Sequence, residues 1–287
     1  IAEAVGSDIT NVVRTSVEEQ LFGAAAQVFT TYLGQDHCVA VSQFTKDLIV
    51  ESAEAIDARH GTAFAAMCRA RVDISYPAID SRQFTDLDRS RLDAVLARRG
   101  LRDDGYVLFL SRVTKAKGVD DLIDGYAASH ARERVPLVIA GTGPEAPALR
   151  ARAAASSCAD RIVFFDDVDD DEKTFLMAGS TAYVLASKPR PEFVETFGIA
   201  LVEKMLAGGG PVITTATGGI PEAVGDHALI VPVADPMSIA QALDDAIMRT
   251  SPAERAQRVL HRSQRVAGHS ESAKSFCALG AGQVQIA

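Results

Sequence analysis

The sequence predicts an α/β protein: a helix-covered parallel sheet fills its second half, and a smaller α/β segment precedes it. Three observations carry this reading. From Tyr106 onward, six strand-sized apolar runs alternate with helical segments, at residues 106–111, 136–141, 161–165, 181–187, 211–215 and 228–233. The runs are continuously apolar and do not alternate, which marks strands buried on both faces and hence a parallel sheet covered by helices on each side. The 287 residues also exceed the roughly 150 of an average domain, so two domains are expected.

In chain order, residues 15–33 carry a helical pattern, Cys38–Ser42 (CVAVS) reads as a short buried strand, and a helix begins near Phe44. Val72–Tyr76 reads as another short strand. Residues 77–84 (PAIDSRQF) carry turn chemistry and lead into a charged helix from about Asp88 to Arg99. The expected organisation is a partial N-terminal domain over 1–84, a linker helix over 85–104, a domain built on the six-stranded sheet over 105–267, and a terminal helix and tail over 268–287. Ligands of such sheets bind at the carboxyl ends of the strands, so functional residues are expected directly after them.

Composition removes several function classes. A net charge of −9 argues against gripping nucleic acid through bulk electrostatics, while a local basic cluster still suits a small anion. Cys38, Cys68, Cys158 and Cys277 show neither CxxC spacing nor the density of a disulfide scaffold, so they are expected to be reduced thiols of a cytoplasmic protein. No apolar run approaches the roughly 20 residues of a membrane span. The chain opens at Ile1 without the basic start and apolar core of a signal peptide and reads as the interior of something longer. Arginine outnumbers lysine and alanine is abundant, a bias of GC-rich bacterial genomes. The six histidines form no pair at metal-binding spacing and no HExxH occurs, so no metal site is expected. There is no GxSxG elbow, and Ser42 lies in a strand-to-helix turn that lacks the glycines of one.

Three motifs follow strands. After the first strand of the sheet come Ser111 and Arg112, then Lys117 and Gly118 before a helix. The planar fork of arginine and the point charge of lysine together suit a diphosphate, though a solvated basic loop reads the same way. After TAYVLAS stand Glu195, Thr196, Phe197 and Gly198, with Glu203 eight positions beyond Glu195. If a helix starts near Phe197, both carboxylates share one side of it and can meet sugar and ribose hydroxyls. The alternative is a capping Glu195 and a surface Glu203. Gly141-Thr142-Gly143-Pro144 follows PLVIAG, but Ala146 replaces the third glycine of a dinucleotide fingerprint, so a structural turn is favoured over nicotinamide binding. Gly218 and Gly219 after PVITT read as a turn that serves packing or close approach to a ligand.

Taken together, SRVTKAKG (111–118), LVIAGTGPE (137–145), the segment 195–224 from ETFGIALVEKM to GGIPEAV, and PAIDSRQF resemble, in order and spacing, the retaining glycosyltransferases of family 4. The resemblance implies a GT-B fold, with two Rossmann-like domains on parallel sheets, the N-terminal one incomplete. It implies transfer of a sugar from a nucleoside diphosphate sugar to a hydroxyl acceptor, a small molecule, glycan or glycolipid, with retention and without metal or other cofactor. Arg112 and Lys117 would hold the diphosphate and neutralise the leaving group. Glu195 would lie near the transferred sugar and Glu203 on the ribose, with Thr196, Phe197, Gly198 and Ile199 lining the loop. Ser111, Gly141 and Val168 complete the donor set, the base sitting near 164–168. Closure around the donor implies hinge motion near Pro77 to Asp104.

Two departures accompany the resemblance. Residues 187–194 (SKPRPEFV) make a longer connection into the glutamate loop than the family's. The family's glycine-rich loop and first-domain histidine have no counterpart here. A nucleotide-sugar-binding module that depends on a partner chain is therefore the competing expectation.

Overall fold

A computed structural model describes residues 2–4, 9–191 and 193–247. The terminal helix and tail expected over 268–287, and Cys277, lie outside the described residues. The strands are β1 (Ala2–Ala4), β2 (Cys38–Ala40), β3 (Val72–Ile74), β4 (Val107–Leu110), β5 (Leu137–Ala140), β6 (Ile162–Phe165), β7 (Ala182–Leu185), β8 (Val212–Thr215) and β9 (Ala228–Val231). The helices are α1 (Ile9–Glu18), α2 (Phe22–Leu33), α3 (Gln43–His60), α4 (Phe64–Arg71), α5 (Arg82–Thr85), α6 (Leu92–Arg98), α7 (Val119–Ala128), α8 (Ala146–Ala154), α9 (Asp170–Ala178), α10 (Ile199–Ala207), α11 (Ile220–Val224) and α12 (Pro236–Ile247).

The chain divides into two compact units. The first comprises Ile1–Pro77, Pro189–Gly198 and Thr217–Ala223; the second comprises Ala78–Lys188, Ile199–Ala216 and the residues from Val224 on. Residues 85–104, expected as a linker, and residues 78–84, expected in the N-terminal domain, both group with the second unit. There Leu96 of α6 is fully buried and Arg91 stands over the Phe175 ring of α9.

In the first unit β1, β2 and β3 form a parallel sheet in that order. Its core gathers Phe29 and Tyr32 of α2, Cys38 and Ala40 of β2, and Ile49, Ala53 and Ile56 of α3. The helix expected over 15–33 is two helices, α1 and α2, broken at Gln20, whose φ is 61°. Leu21 N–H donates to Ser16 O and Gln20 N–H to Val17 O, the paired bonds that satisfy the last carbonyls of a helix ending in a left-handed residue. Glycine usually holds that position, so a glutamine gave no signal. Helix α3 is bounded by Ser42, which accepts from Thr45 N–H, and by Gly61 at φ 64°. Asp57 accepts from the N–H groups of Phe64 and Ala65 at the start of α4. Burial opposes charge on Asp57, but these bonds and one from Thr62 hold its carboxyl below the usual range.

The second unit is the six-stranded parallel sheet, in the order β6-β5-β4-β7-β8-β9. This is the doubly wound order, in which the chain starts at the middle of the sheet, winds outward to one edge, and returns to wind toward the other. The four central strands are buried along nearly their whole length, whereas the edge strands β6 and β9 are partly exposed. Continuous apolarity therefore reports burial on both faces only for the central strands. The buried hydroxyls of Tyr106, Tyr126 and Tyr183 donate to the carbonyls of Leu176, Val135 and Leu110. Cys38, Cys68 and Cys158 are free and buried, and burial pushes the Cys68 thiol up to about 12. Among the described residues no helix is long and apolar enough to cross a membrane.

Candidate functional site

The doubly wound order sets where a ligand fits in the second unit. The chain reverses its winding direction between β4 and β7, and in doubly wound sheets ligands bind outside the carboxyl ends of the strands at such a reversal. The strand register agrees: β4 pairs with β5 through Leu110↔Ala140, but with β7 only through Val107↔Ala182 and Leu108↔Tyr183. Beyond those pairs the ladder between the two strands ends.

The loop after β4 carries Ser111, Arg112 and Lys117. Arg112 is exposed, while Lys117 is 6% exposed at the end of a short 3-10 turn over Lys115–Lys117. Gly118 follows in the left-handed region, at φ 66°. A Cβ there would lie 1.9 Å from the carbonyl oxygen of Ala186 just beyond β7. Only glycine permits that approach, which seats the loop directly on the exit of β7. Lys188 N–H donates to Ala116 O at 2.8 Å across the same contact. Lys115 faces Glu145 at 4.0 Å.

The glycines after β5 are explained by the protein's own backbone. A Cβ on Gly141 would lie 2.1 Å from Ser111 O, and one on Gly143 would lie 2.1 Å from Val113 O. Val113 N–H donates to Thr142 O, and Glu145 N–H to Val113 O. The turn braces the Arg112 loop, and this packing accounts for both glycines without a dinucleotide. Gly141 N–H also donates to Phe165 O at the end of β6, so the ends of β4, β5 and β6 are tied together. Beyond β6, Arg99 reaches Asp167 Oδ1 at 2.8 Å and both oxygens of Glu172 at 2.6 Å, and lies 5.1 Å from the Phe165 ring centre. Arg99 thus fixes the loop that holds Val168, a role the sequence did not signal. These hydrogen bonds raise the Arg99 pKa further above its ordinary value.

Glu203 and Ile199 also belong to the second unit, on α10. Glu203 pairs through Oε2 with Lys173 Nζ of α9 at 2.8 Å. The expectation that Glu195 and Glu203 share one side of a helix is corrected. Helix α10 begins at Ile199, so Glu195 lies ahead of it in a loop and helical spacing does not relate the two carboxylates.

Glu195, Thr196, Phe197 and Gly198 fall in the first unit. The Glu195–Thr196 backbone is enclosed by residues far away in sequence. A Cβ on Gly218 would lie 2.0 Å from Glu195 O and one on Gly219 2.0 Å from Thr196 O, while Gly219 N–H donates to Glu195 O. Packing between the two loops therefore requires both glycines of the GGIPE turn. The fully buried Ser42 hydroxyl donates to Thr196 O at 2.6 Å. Tyr76 stacks on Phe197, with centroids 5.4 Å apart and planes at 27°. Glu222 accepts from the N–H groups of Gln43 and Phe44 at 2.8 and 2.9 Å, so a carboxylate occupies the positive end of α3. Burial and the Glu222 charge push the Tyr76 phenol up. The signal for Ser42 was a serine three residues ahead of a threonine at a helix start, a cap pattern and not a nucleophile elbow.

With this geometry in place, the model of the glycosyl transferases group 1 family matches residues 97–259. The chain belongs to that family. Among curated relatives, the D-inositol 3-phosphate glycosyltransferase of Mycobacteroides abscessus is 31% identical over 191 residues, 63% of this chain and 40% of the relative. The N-acetyl-alpha-D-glucosaminyl L-malate synthase of Bacillus anthracis is 28% identical over 207 residues, 69% of this chain and 51% of the relative. The chain spans about half or less of the length of these relatives. The fold is similar to that of Anabaena Alr3699/HepE, solved in complex with UDP and glucose, with TM-score 0.73 and 17% identity over 97% of this chain and 71% of that one. It is also similar to the C-terminal domain of LpcC, a glycosyl transferase group 1 family protein of Francisella tularensis, with TM-score 0.56 and 18% identity over 67% of this chain and 97% of that one. These likenesses and the parallel sheets assign the GT-B fold.

Proposed function

We propose that this chain transfers a glycosyl group from a nucleoside diphosphate sugar to a hydroxyl acceptor, with retention of anomeric configuration and without a metal ion. The observation that carries the reading is the Arg112–Lys117 loop, seated at the winding reversal of a sheet whose family transfers glycosyl groups. Arg112 and Lys117 bind the donor diphosphate. As the bond from the sugar's anomeric carbon to the diphosphate breaks, negative charge develops on the leaving group, and fixed cations stabilise it most at that moment. The acceptor oxygen forms the new bond to the anomeric carbon, and its proton leaves with the departing diphosphate. Two cations supply the countercharge that a divalent ion would otherwise bring. Glu195 takes the role the resemblance gives it, beside the transferred sugar. Glu203 binds the ribose through Oε1, with Lys173 on Oε2. Ser111, Gly141 and Val168 line the nucleotide through backbone groups. The acceptor is a small molecule, a glycan or a glycolipid, and the reaction takes place in the cytoplasm.

The test is incubation with UDP-, GDP-, ADP- and dTDP-sugars in the presence of EDTA. Released nucleoside diphosphate and the first-formed anomer of the released or transferred sugar are followed by NMR. Release with the donor's own anomeric configuration supports the reading. Inverted product, or release only after a divalent metal is added, contradicts it. Nucleotide binding without any release would instead favour a binding module.

A further inference from the structure

Lys188 belongs to the long connection after β7, and its side chain is 9% exposed. Its Nζ donates to Asp120 Oδ2 at 2.8 Å and lies 2.7 Å from Asp121 Oδ2, a close charge contact. Asp120 and Asp121 stand in the first turn of α7, directly after Gly118. Residues 116–121 are thus tied to residues 186–188 three times: by the Lys188 N–H bond to Ala116 O, by the bare contact of Gly118 with Ala186 O, and by this charge cluster. Lys117 lies in the middle of the tethered stretch.

Lys188 and Asp121 lie almost out of water, whereas Asp120 is 40% exposed; a nearly buried lysine and carboxylate persist only when they satisfy one another, and such a cluster fixes geometry more than it adds stability. Two carboxylates balance one ammonium here, and the residual negative charge sits where the amino end of α7 favours it. The Lys188 charge is therefore matched by its own neighbours, and its effect on a donor is exerted through the loop. We propose that Lys188, acting through Asp120 and Asp121, is a positioning residue that holds the Lys117 loop in the geometry that receives a diphosphate. This rests on the reading of Arg112 and Lys117 given above.

The experiment titrates whichever of UDP, GDP, ADP and dTDP binds best, and the matching nucleoside monophosphate, into the wild type, Lys188→Met, and the triple variant Lys188→Met, Asp120→Asn, Asp121→Asn. The triple variant removes all three charges and so protects against failure to fold. An Arg112→Ala, Lys117→Ala variant is titrated alongside. A displaced Lys117 forfeits a charge-assisted hydrogen bond to the diphosphate, so diphosphate affinity is expected to fall of order ten- to hundredfold in both Lys188 variants, while monophosphate affinity changes by less than about twofold. Full diphosphate affinity in the triple variant, or an equal loss for monophosphate and diphosphate, overturns the proposal. If the Arg112→Ala, Lys117→Ala variant also retains diphosphate affinity, the reading of the loop itself fails, a result distinct from failure of Lys188 alone.

Discussion

Replacing Gly118 by alanine tests whether the donor loop is seated as tightly as its geometry says. Two penalties add. Gly118 has φ 66°, where alanine costs about 1 kcal/mol more than glycine. The new Cβ would start 1.9 Å from the Ala186 carbonyl oxygen. Close carbon–oxygen contacts settle near 3.3 Å, so the loop must retreat by about 1.4 Å. Both sides of the contact are main chain, so no side chain can swing away, and forced overpacking of this kind costs about 1–3 kcal/mol. The expected sum is about 2–4 kcal/mol. Gly61 is the internal control: its φ is 64°, but no atom lies within 4 Å of where its Cβ would go. Gly61→Ala should therefore cost only the backbone part, about 1 kcal/mol. Urea denaturation of both variants gives the difference, and nucleotide titration gives its functional consequence. Equal stability losses for the two variants, with nucleotide affinity unchanged in Gly118→Ala, would refute the close seating of the loop on β7.

Other perturbations probe the parts around the site. Arg99→Ala leaves Glu172 without its partner and frees the loop that holds Val168; a loss of about 2 kcal/mol in denaturation is expected, and a loss below about 0.5 kcal/mol would contradict the clamp. Ser42→Ala removes both the cap on Thr45 N–H and the bond to Thr196 O; it should cost about 1–2 kcal/mol, and a neutral result would show that the serine is dispensable. Lys204 is buried, donates to Met177 O, and is held down to about 7 by burial. The unfolded chain then binds more protons than the folded one between about pH 7 and the ordinary lysine range. Wild-type stability relative to Lys204→Met should therefore rise with pH across that window, by at most about 1.4 kcal/mol per pH unit. Parallel pH profiles for the two proteins would exclude the lowered pKa of Lys204.

The sheet was legible because its strands are apolar without alternation, which in the four central strands follows from burial on both faces. Their spatial order was not, since no local pattern in β4 or β7 says that these two strands become neighbours. Arg112 and Lys117 were legible as two cations in one loop after a strand. Lys188 was not, because its meaning depends on Asp120 and Asp121, 68 and 67 positions earlier in the chain. Arg99 escaped for the same reason: its partners Asp167 and Glu172 are brought to it by the packing of α6 on α9. The glycines of GTGP and GGIPE were visible, but their cause was not. They admit other loops of the protein, at Ser111, Val113, Glu195 and Thr196. The break at Gln20 was hidden because a left-handed helix end normally announces itself with glycine.

The most direct test of donor binding is calorimetric titration of UDP, GDP, ADP and dTDP into the wild type and the Arg112→Ala, Lys117→Ala variant, without divalent metal. If these two residues hold the diphosphate, one nucleotide binds the wild type and its heat disappears in the variant. Equal binding to both proteins would contradict the site at its foundation.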